Sequence, residues 1–487
     1  MREALRKLSG ESLVYGLGQV GGRAVQLLLV PILTRALTPA AYGVSELVFA
    51  YLQTAVIVLV FGMDGALARF FYDEPDREAR VRMVSTSLAF RVATSFAVAA
   101  LLALLAPGFA HALVGSEVYR KYILLGAVTL PFTLLVLFAN DVLRVTFQPW
   151  KFISLNVAQT VITCGLSIYL VLGRNLGVAG VLYGRLAADV VCALFGLVLM
   201  RHYLRPTFSR DALRRMLHFG LPLVPTGFAY GVILSVDRFV LQRTRSLDEV
   251  AIYAVAMKFF AVVTMVVSAF QLAYGPFAFA RARNPEAPRL FARVLGLYVA
   301  AASLIGLVVS LFAPEVISVL VPAQYHAAAL PAAWLAFAAV AQGAYSVASV
   351  GVVLALRTRL LLWSSMAAAA IATVAQLALT PVWGVQGAAC ATFMGYSASA
   401  VLTYRIAQKV YPLPFHGGRL LLAMGSALAI GLSVQRFAPA GGAGVALKLA
   451  ALVVFALACL GLRIWREREG GQTPGVAAGP EHGSGAS

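Results

Sequence analysis

Charged residues are scarce in this chain. Asp, Glu, Lys and Arg make up 12% of its 487 residues and hydrophobic residues 61%, whereas an ordinary soluble domain has about 25% charged residues. The four cysteines all fall in apolar stretches, where a small apolar side chain is useful and a disulfide framework is not. The six histidines are scattered without the spacing of metal ligands. These shortages exclude a soluble globular domain, a disulfide scaffold and a zinc site.

Motifs of nucleotide and hydrolase chemistry are missing as well. The sequence contains neither a Walker A lysine loop nor a Gly-x-Ser-x-Gly elbow, so nothing in it indicates ATP hydrolysis or serine hydrolase chemistry. Gly16, Gly18 and Gly21 match the dinucleotide-binding pattern. No strand precedes them, however, and we interpret them as glycines of close helix packing. We therefore expect no cofactor.

Long apolar runs are what the chain has in abundance. A membrane-spanning helix needs about 20 predominantly apolar residues, and fourteen candidate stretches lie between residues 12 and 462. The loops between them are short, which leaves no extramembrane domain to carry chemistry. The sequence predicts an all-α polytopic membrane protein with about 14 transmembrane helices.

The basic residues are distributed unequally between the two predicted sides. With the amino terminus inside, 26 of the 39 Lys and Arg residues fall in cytoplasmic ends and loops and only 8 in outer loops. The positive-inside rule therefore places both termini in the cytoplasm. The net charge of +19 does not indicate nucleic-acid binding, because no basic run is interleaved with aromatic residues on a soluble face.

Two short patterns recur at an offset of 207 residues. Ala106-Pro107 with Leu113-Val114 returns as Ala313-Pro314 with Leu320-Val321, and Gly177-Val178-x-Gly180 returns as Gly384-Val385-x-Gly387. A duplicated unit of six spans explains the shared offset, and an even number of spans makes the halves parallel. We expect Ala-Pro corners and Gly-Val-x-Gly turns in both halves. The predicted units are residues 1–204 and 205–412 as six-helix lobes, 413–466 as two additional helices and 467–487 as a disordered cytoplasmic tail.

Five basic residues lie inside the predicted spans. Each is unfavourable by about 2.5 to 3.5 kcal/mol at the centre of a spanning helix, and such residues usually face a bundle interior or a water-filled cavity. We therefore treat them as candidate substrate-binding residues of a cationic cavity. They do not recur at the 207-residue offset, since position 298 is Tyr and position 392 is Thr. The five are Arg23, Arg91, Arg185, Arg238 and Lys258.

Three acidic residues accompany them within the spans: Glu46, Asp189 and Asp237. They have two interpretations, coupling of a counter-ion or structural pairing, and Glu46 has two candidate partners, Lys258 and Arg35. Asp64 and Asp141 lie at cytoplasmic ends of spans and are left out of the count, so the membrane interior is expected to be positive by two. A positive cavity selects an anion, and guanidinium groups suit phosphate oxygens. The charge pattern thus favours phosphate or pyrophosphate as part of the cargo.

Several motifs together resemble the polysaccharide-repeat-unit flippases of the multidrug/oligosaccharidyl-lipid/polysaccharide exporter superfamily. They are Pro31-Ile-Leu-Thr-Arg35-Ala-Leu37-Thr-Pro-Ala-Ala-Tyr42-Gly43, then Ser235-Val-Asp237-Arg238-Phe239 with Ile252-Tyr253-Ala254, and the two Gly-Val-x-Gly turns. The resemblance covers about residues 12–462.

The resemblance implies a two-lobed exporter that moves an undecaprenyl-pyrophosphate-linked oligosaccharide to the outer leaflet of the bacterial cytoplasmic membrane by alternating access. Its partners would then be this substrate, membrane lipids, and a polysaccharide polymerase and other synthesis proteins. Only Asp237 and Arg238 belong to a motif of the family; the other four cations rest on the burial argument alone.

Three alternatives remain. Lipid II flippases of the same superfamily resemble the chain less, because paired basic residues with an acid are typical of their first span and Arg23 is followed by Ala24 and Val25. A polytopic polymerase, ligase or glycosyltransferase would need a large catalytic outer loop, so we do not expect an enzyme. A scaffold for a synthesis complex would be insensitive to substitutions among the in-span cations.

Overall fold

The computed structural model describes residues 21, 25–74, 76–114, 119–281, 286–354, 357, 359–412, 417–439 and 441–461. Within these residues the chain forms helices and no strand. The helices are α1 Val25–Ala36, α2 Pro39–Leu59, α3 Met63–Asp73, α4 Arg77–Val114, α5 Arg120–Val145, α6 Pro149–Ile168, α7 Gly177–Leu199, α8 Arg210–Gly220, α9 Val224–Thr244, α10 Leu247–Arg281, α11 Ala287–Leu320, α12 Ala329–Leu354, α13 Arg359–Val410, α14 Gly417–Phe437 and α15 Gly442–Gly461.

Most of these helices are long and apolar enough to cross a membrane. Twelve such helices occur in the described residues, and α1 is a shorter apolar helix. Helix α13 has 52 residues and contains two of the predicted spans, separated by a kink at Gly384. Thirteen of the fourteen predicted spans therefore have a helix of spanning length, and the first is described only from Val25 onward. The prediction of an all-α polytopic membrane protein is confirmed. The tail predicted for residues 467–487 lies outside the described residues.

The two Gly-Val-x-Gly turns have the same local structure. Gly177 and Gly384 have φ angles of 56° and 55°, in the left-handed region that favours glycine. Three residues later, a methyl group at Gly387 would come within 2.2 Å of the Leu379 carbonyl oxygen, and one at Gly180 within 3.0 Å of the Leu170 carbonyl carbon. Each turn therefore needs glycine at both positions, once for conformation and once for a close approach.

The Ala-Pro pairs are not corners. Pro107 lies inside α4 and Pro314 inside α11, several residues before either helix ends. The expectation of a corner was wrong. A proline leaves one backbone carbonyl of its helix without a hydrogen bond, and neighbouring groups in a transmembrane bundle can satisfy that carbonyl, so the helix continues. The recurrence itself holds, since both prolines occupy the same stretch of equivalent helices.

Helix α2 lies at the seam between the repeated halves. In the first half, α7 packs on both α5 and α6, and α5 also packs on α4. In the second half, α12 packs on α10, α11 and α13, and α13 also packs on α9. Helix α2 contacts α5 and α7 of the first half and α9 and α10 of the second. Helix α14 packs on α11, and α15 on both of these helices. The exact lobe boundaries at residues 204 and 412 stay a prediction.

Small residues allow α2 to approach the second half closely. A methyl group on Gly43 would lie 2.1 Å from the Leu247 carbonyl oxygen at the start of α10. Further along, one on Gly231 of α9 would lie 3.2 Å from Ile57 of α2. Backbone approach at glycine is a common device in membrane helix packing. It holds the two halves in contact along the length of α2.

Candidate functional site

A salt bridge crosses the seam between α2 and α10. Lys258 Nζ lies 2.9 Å from Glu46 Oε1. The Tyr42 hydroxyl, one turn earlier on α2, donates to the same oxygen at 2.8 Å. Of the two partners expected for Glu46, the structure therefore selects Lys258. Arg35 instead donates to the carbonyl oxygens of Pro31 and Val319.

Asp237 is fully buried on α9 and is bonded within the second half. Its Oδ1 accepts from the backbone N–H of Arg238 at 2.7 Å, and its Oδ2 accepts from the Tyr253 hydroxyl of α10. That hydroxyl oxygen also lies 3.0 Å from Thr392 Oγ1 on α13, which in turn accepts from Gln376. Three helices of the second half thus hold the carboxylate in place.

The Arg238 guanidinium borders this network without donating a hydrogen bond to the described residues in it. Its Nη1 donates to the Leu234 carbonyl at 3.1 Å, and the closest approach to Asp237 is only 3.9 Å. The guanidinium lies 6.0 Å from the Tyr253 ring centroid and interacts electrostatically with Glu46. Its buried Nε forms no hydrogen bond with any described residue.

These residues lie about 10 to 16 Å from the ends of their helices. At 1.5 Å per residue, Glu46 is about 10 Å from the start of α2, Asp237 about 10 Å from the end of α9 and Lys258 about 16 Å from the start of α10. All three helix ends are predicted to face outward. We call Glu46, Asp237, Arg238, Lys258 and their hydroxyl partners the seam cluster; the partners are Tyr42 and Tyr253.

A small cavity reaches the seam cluster from the side. It measures about 100 Å³ and lies between α1, α10 and α11. Lys258 lines it, and the other lining residues are apolar. The Lys258 side chain is 30% exposed and is the member of the cluster that lines this cavity.

Arg91 belongs to a different group, inside the first half. It is 1% exposed, and its Nη1 donates to Asp141 Oδ2 of α5 at 2.9 Å. Arg144 donates to the other oxygen of Asp141 at 2.6 Å, and the Phe138 ring lies 5.1 Å from the Arg91 guanidinium carbon. Leaving Asp141 out of the charge count was therefore wrong: sequence distance along one helix does not reveal a partner on the neighbouring helix.

Arg185 and Asp189 form a third group. Arg185 Nε donates to Asp189 Oδ2 at 2.9 Å, one turn apart on α7. Thr133 of α5 also donates to Oδ2, and Gln159 of α6 donates to Oδ1 at 2.7 Å. The carboxylate is fully buried, whereas the Arg185 side chain is 29% exposed. Asp189 therefore joins three helices of the first half.

The predicted site residues thus occupy three groups rather than one. Arg23 lies outside the described residues, and its place relative to these groups stays a prediction. The four described cations are matched by four carboxylates, so the expected excess of positive charge is absent from the described part of the interior in this conformation. The sequence did not predict the roles of Asp141, Thr392, Tyr42 and Tyr253. Both tyrosines belong to the sequence motifs. The Tyr42 hydroxyl donates to Glu46 one turn away on the same helix, and the Tyr253 hydroxyl donates to Asp237 on the preceding helix.

A helical bundle of two repeated halves, with paired charges buried at the seam between them, defines a multi-pass membrane protein. The family described as "Polysaccharide biosynthesis protein" matches residues 10–280, and the chain belongs to this family. A curated relative, "Lsg locus putative protein 1" of Haemophilus influenzae, is 24% identical over 284 residues, which cover 56% of this chain and 66% of the relative. The matched part is thus just under two thirds of that relative's length.

Solved structures share the fold. The lipid II flippase MurJ in an inward closed conformation superposes with a TM-score of 0.72 at 11% identity, covering 93% of this chain and all of MurJ. A mutant of the Vibrio cholerae MATE transporter VcmN gives 0.61 at 15% identity, covering 84% and 98% of the two chains. A MOP superfamily transporter from Pyrococcus furiosus gives 0.59 at 16% identity, covering 82% and 95%. At these identities the likeness establishes the fold.

Proposed function

We propose that the protein is a flippase for undecaprenyl-pyrophosphate-linked oligosaccharide repeat units, moving them from the inner to the outer leaflet of the bacterial cytoplasmic membrane for surface polysaccharide biosynthesis. The observation that carries the proposal is the position of Arg238 and Lys258 at the seam between the halves. Transporters built from parallel repeats bind substrate at this interface, and membership in a polysaccharide biosynthesis family supports a glycan cargo.

Alternating access fits this arrangement. The halves meet along α2, so a rocking motion about this seam would expose the seam cluster to one side and then to the other. The sugar and pyrophosphate would pass between the halves while the lipid tail stays in the bilayer. An inside-negative potential favours outward movement of an anion by about 2.3 kcal/mol per charge per 100 mV, which supplies a driving force without ATP.

The other in-span charges take secondary parts in this proposal. Arg185 is partly exposed and is a candidate for sugar or phosphate contact, as are Arg91 and Arg23. Asp237, Asp189 and Glu46 are the candidates for coupling to a proton or sodium ion. The two buried aspartates already have two or more donors each, which favours a structural role for them in this conformation.

Translocation in liposomes tests the proposal. The purified protein is reconstituted with a fluorescent undecaprenyl-pyrophosphate oligosaccharide, and a membrane-impermeant quencher reports the fraction in the outer leaflet. We expect protein-dependent movement without new glycosidic bonds. Formation of longer glycans would instead indicate a polymerase or ligase, and no movement with any lipid-linked glycan would refute the flippase.

The likeness to MurJ provides a second candidate cargo, lipid II. A competition experiment separates the two: unlabelled lipid II and unlabelled oligosaccharide lipid are added to the same liposomes. We expect the oligosaccharide lipid to compete more strongly. Stronger competition by lipid II would assign the protein to peptidoglycan precursor transport.

A further inference from the structure

The charges of the seam cluster are divided unequally between the two halves. Arg238, Lys258 and Asp237 lie on α9 and α10 of the second half, while Glu46 lies on α2. Among the described residues, the hydrogen bonds that Asp237 accepts come from its own half. With the seam closed, two cations therefore face two carboxylates. In a transport step that separates α2 from α9 and α10, the second half would keep a net charge of +1.

Glu46 makes with Lys258 the kind of contact that an oxyanion makes with a lysine. Its Oε1 lies 2.9 Å from Lys258 Nζ, the distance of a charge-assisted hydrogen bond. The same carboxylate interacts electrostatically with Arg238, whose buried Nε still lacks an acceptor among the described residues. A phosphate group carries more acceptor oxygens than a carboxylate and could satisfy both cations at once.

We propose that Glu46 is an internal counter-ion that stands in for the phosphate of the cargo when the carrier is empty. This inference rests on the proposed function. It adds a mechanism by which the Glu46 carboxylate and the phosphate of the cargo exchange at the seam. The pyrophosphate oxygens bind Lys258 and Arg238 only after displacing Glu46, and this displacement releases the contact between α2 and α10. Anion binding and opening of the seam are thus one event.

The same exchange explains how an empty carrier returns. Leaving a buried cation without a counter-ion is strongly disfavoured, so the carrier changes conformation only while Lys258 and Arg238 are paired. With cargo bound, pyrophosphate provides the pairing. After release, Glu46 provides it, and Tyr42 orients its carboxylate. A carrier without Glu46 would therefore move loaded but would return empty only slowly.

Binding of inorganic pyrophosphate to the full chain in detergent tests the exchange. Glu46→Gln removes the competing charge while keeping the shape, so we expect pyrophosphate to bind about tenfold more tightly. Lys258→Gln should weaken binding about tenfold. The exchanged pair Glu46→Lys with Lys258→Glu keeps a salt bridge at the seam but moves the cation to the first half, and should not restore binding. Restoration by the exchanged pair would overturn the inference, as would unchanged binding in Glu46→Gln.

A matched control is available in the pair Lys448 and Glu315, which joins α15 to α11. Exchanging these two charges should leave pyrophosphate binding within about twofold of wild type. Thermal unfolding of each variant shows whether it is folded, and only variants that unfold cooperatively are compared.

Tracer movement in liposomes tests the return step. The movement of a fluorescent lipid-linked oligosaccharide by Glu46→Gln is compared under two conditions. With unlabelled substrate in both leaflets the carrier never returns empty, so the return step does not limit this rate. With tracer in one leaflet only, its rate should fall about tenfold. Equal loss under both conditions would overturn the inference. If the wild-type protein moves no such lipid, the proposed function fails, while tighter pyrophosphate binding by Glu46→Gln would still support the exchange.

Discussion

Gly177 and Gly384 lie 207 residues apart and have φ angles of 56° and 55°. Each begins a Gly-Val-x-Gly turn into a helix, α7 in the first half and the second part of α13 in the other. A shared sequence pattern alone could be chance in so apolar a chain. A shared left-handed conformation at the same step of both patterns shows that the repeat is structural.

Each of these glycines is followed three residues later by a second glycine, Gly180 or Gly387, and the two differ in how much space surrounds them. Gly387→Ala would press a methyl group against the Leu379 backbone oxygen at 2.2 Å, whereas Gly180→Ala meets Leu170 at 3.0 Å. We expect Gly387→Ala to destabilise the protein by about 1 to 3 kcal/mol, as other overpacking changes do, and Gly180→Ala to destabilise it less. Thermal unfolding in detergent measures both. The reverse order would contradict the packing of these turns.

The buried pair of Arg91 and Asp141 is expected to be structural. Asp141→Asn leaves the Arg91 guanidinium buried without its carboxylate, and breaking such a pair costs about 3 to 5 kcal/mol. Asp64→Asn, an exposed change at the start of α3, serves as the control. We expect a clearly lower unfolding temperature for Asp141→Asn only. Partial recovery in the double variant Arg91→Gln with Asp141→Asn would confirm pairing, and equal stability of the two single variants would disprove it.

Arg238 is expected to matter for transport more than other arginines of its helix. Arg238→Ala removes one of two cations from the seam, and a loss of about tenfold in rate would correspond to ~1.4 kcal/mol of transition-state stabilisation. Arg243→Ala removes an exposed arginine near the end of the same helix and should stay within about twofold of wild type. Surface polysaccharide in a flippase-deficient host and fluorescent lipid translocation provide the measurements. Full activity of Arg238→Ala at normal expression would argue against a cationic site at the seam.

Gly43 is expected to control closure of the seam. Alanine at this position collides with the Leu247 carbonyl oxygen, because the added methyl group would lie 2.1 Å from it. The helices α2 and α10 must then separate, and amide hydrogen exchange around residues 240–250 should become faster. Gly425→Ala in α14, where a methyl group meets nothing within 4 Å, is the control. Unchanged exchange in Gly43→Ala would mean that the approach of the two helices is not close.

Cysteine labelling tests the predicted orientation. The four native cysteines are buried, so the background is low. Lys121→Cys at the start of α5 should react with an impermeant maleimide in intact cells, since this end is predicted to be outside. Arg214→Cys in α8 should react only after permeabilisation. Labelling in the opposite pattern would invert the topology.

Much of the fold could be predicted from the sequence because a spanning helix is a local feature. Twenty apolar residues identify a span without reference to its neighbours, and thirteen of the fourteen predicted spans have a helix of spanning length in the described residues. The Ala-Pro pairs were misread because a proline marks a break in water but is tolerated inside a membrane helix. The kink at Gly384, by contrast, was correctly expected as a turn.

The site was predicted less completely, and the reason is again distance along the chain. The unfavourable free energy of a charged side chain inside a spanning helix identified four residues one at a time: Arg91, Arg185, Arg238 and Lys258. Arg185 and Arg238 each have a carboxylate on their own helix, Asp189 one turn away and Asp237 in the adjacent position. The carboxylate partners of Arg91 and Lys258 come from other helices, 50 and 212 positions away. Helical periodicity carries no information about such partners.

The sequence by itself determined the class of protein, the number of spans, the repeat and the set of charges that must be accounted for, because hydrophobicity, residue spacing and charge are properties of the chain alone. Only the tertiary structure decided how those charges are paired: Glu46 with Lys258 across the seam, Asp141 with Arg91 inside one half. Pairing depends on which helices are neighbours and on which faces they turn to each other. Those relationships arise from packing of the whole bundle.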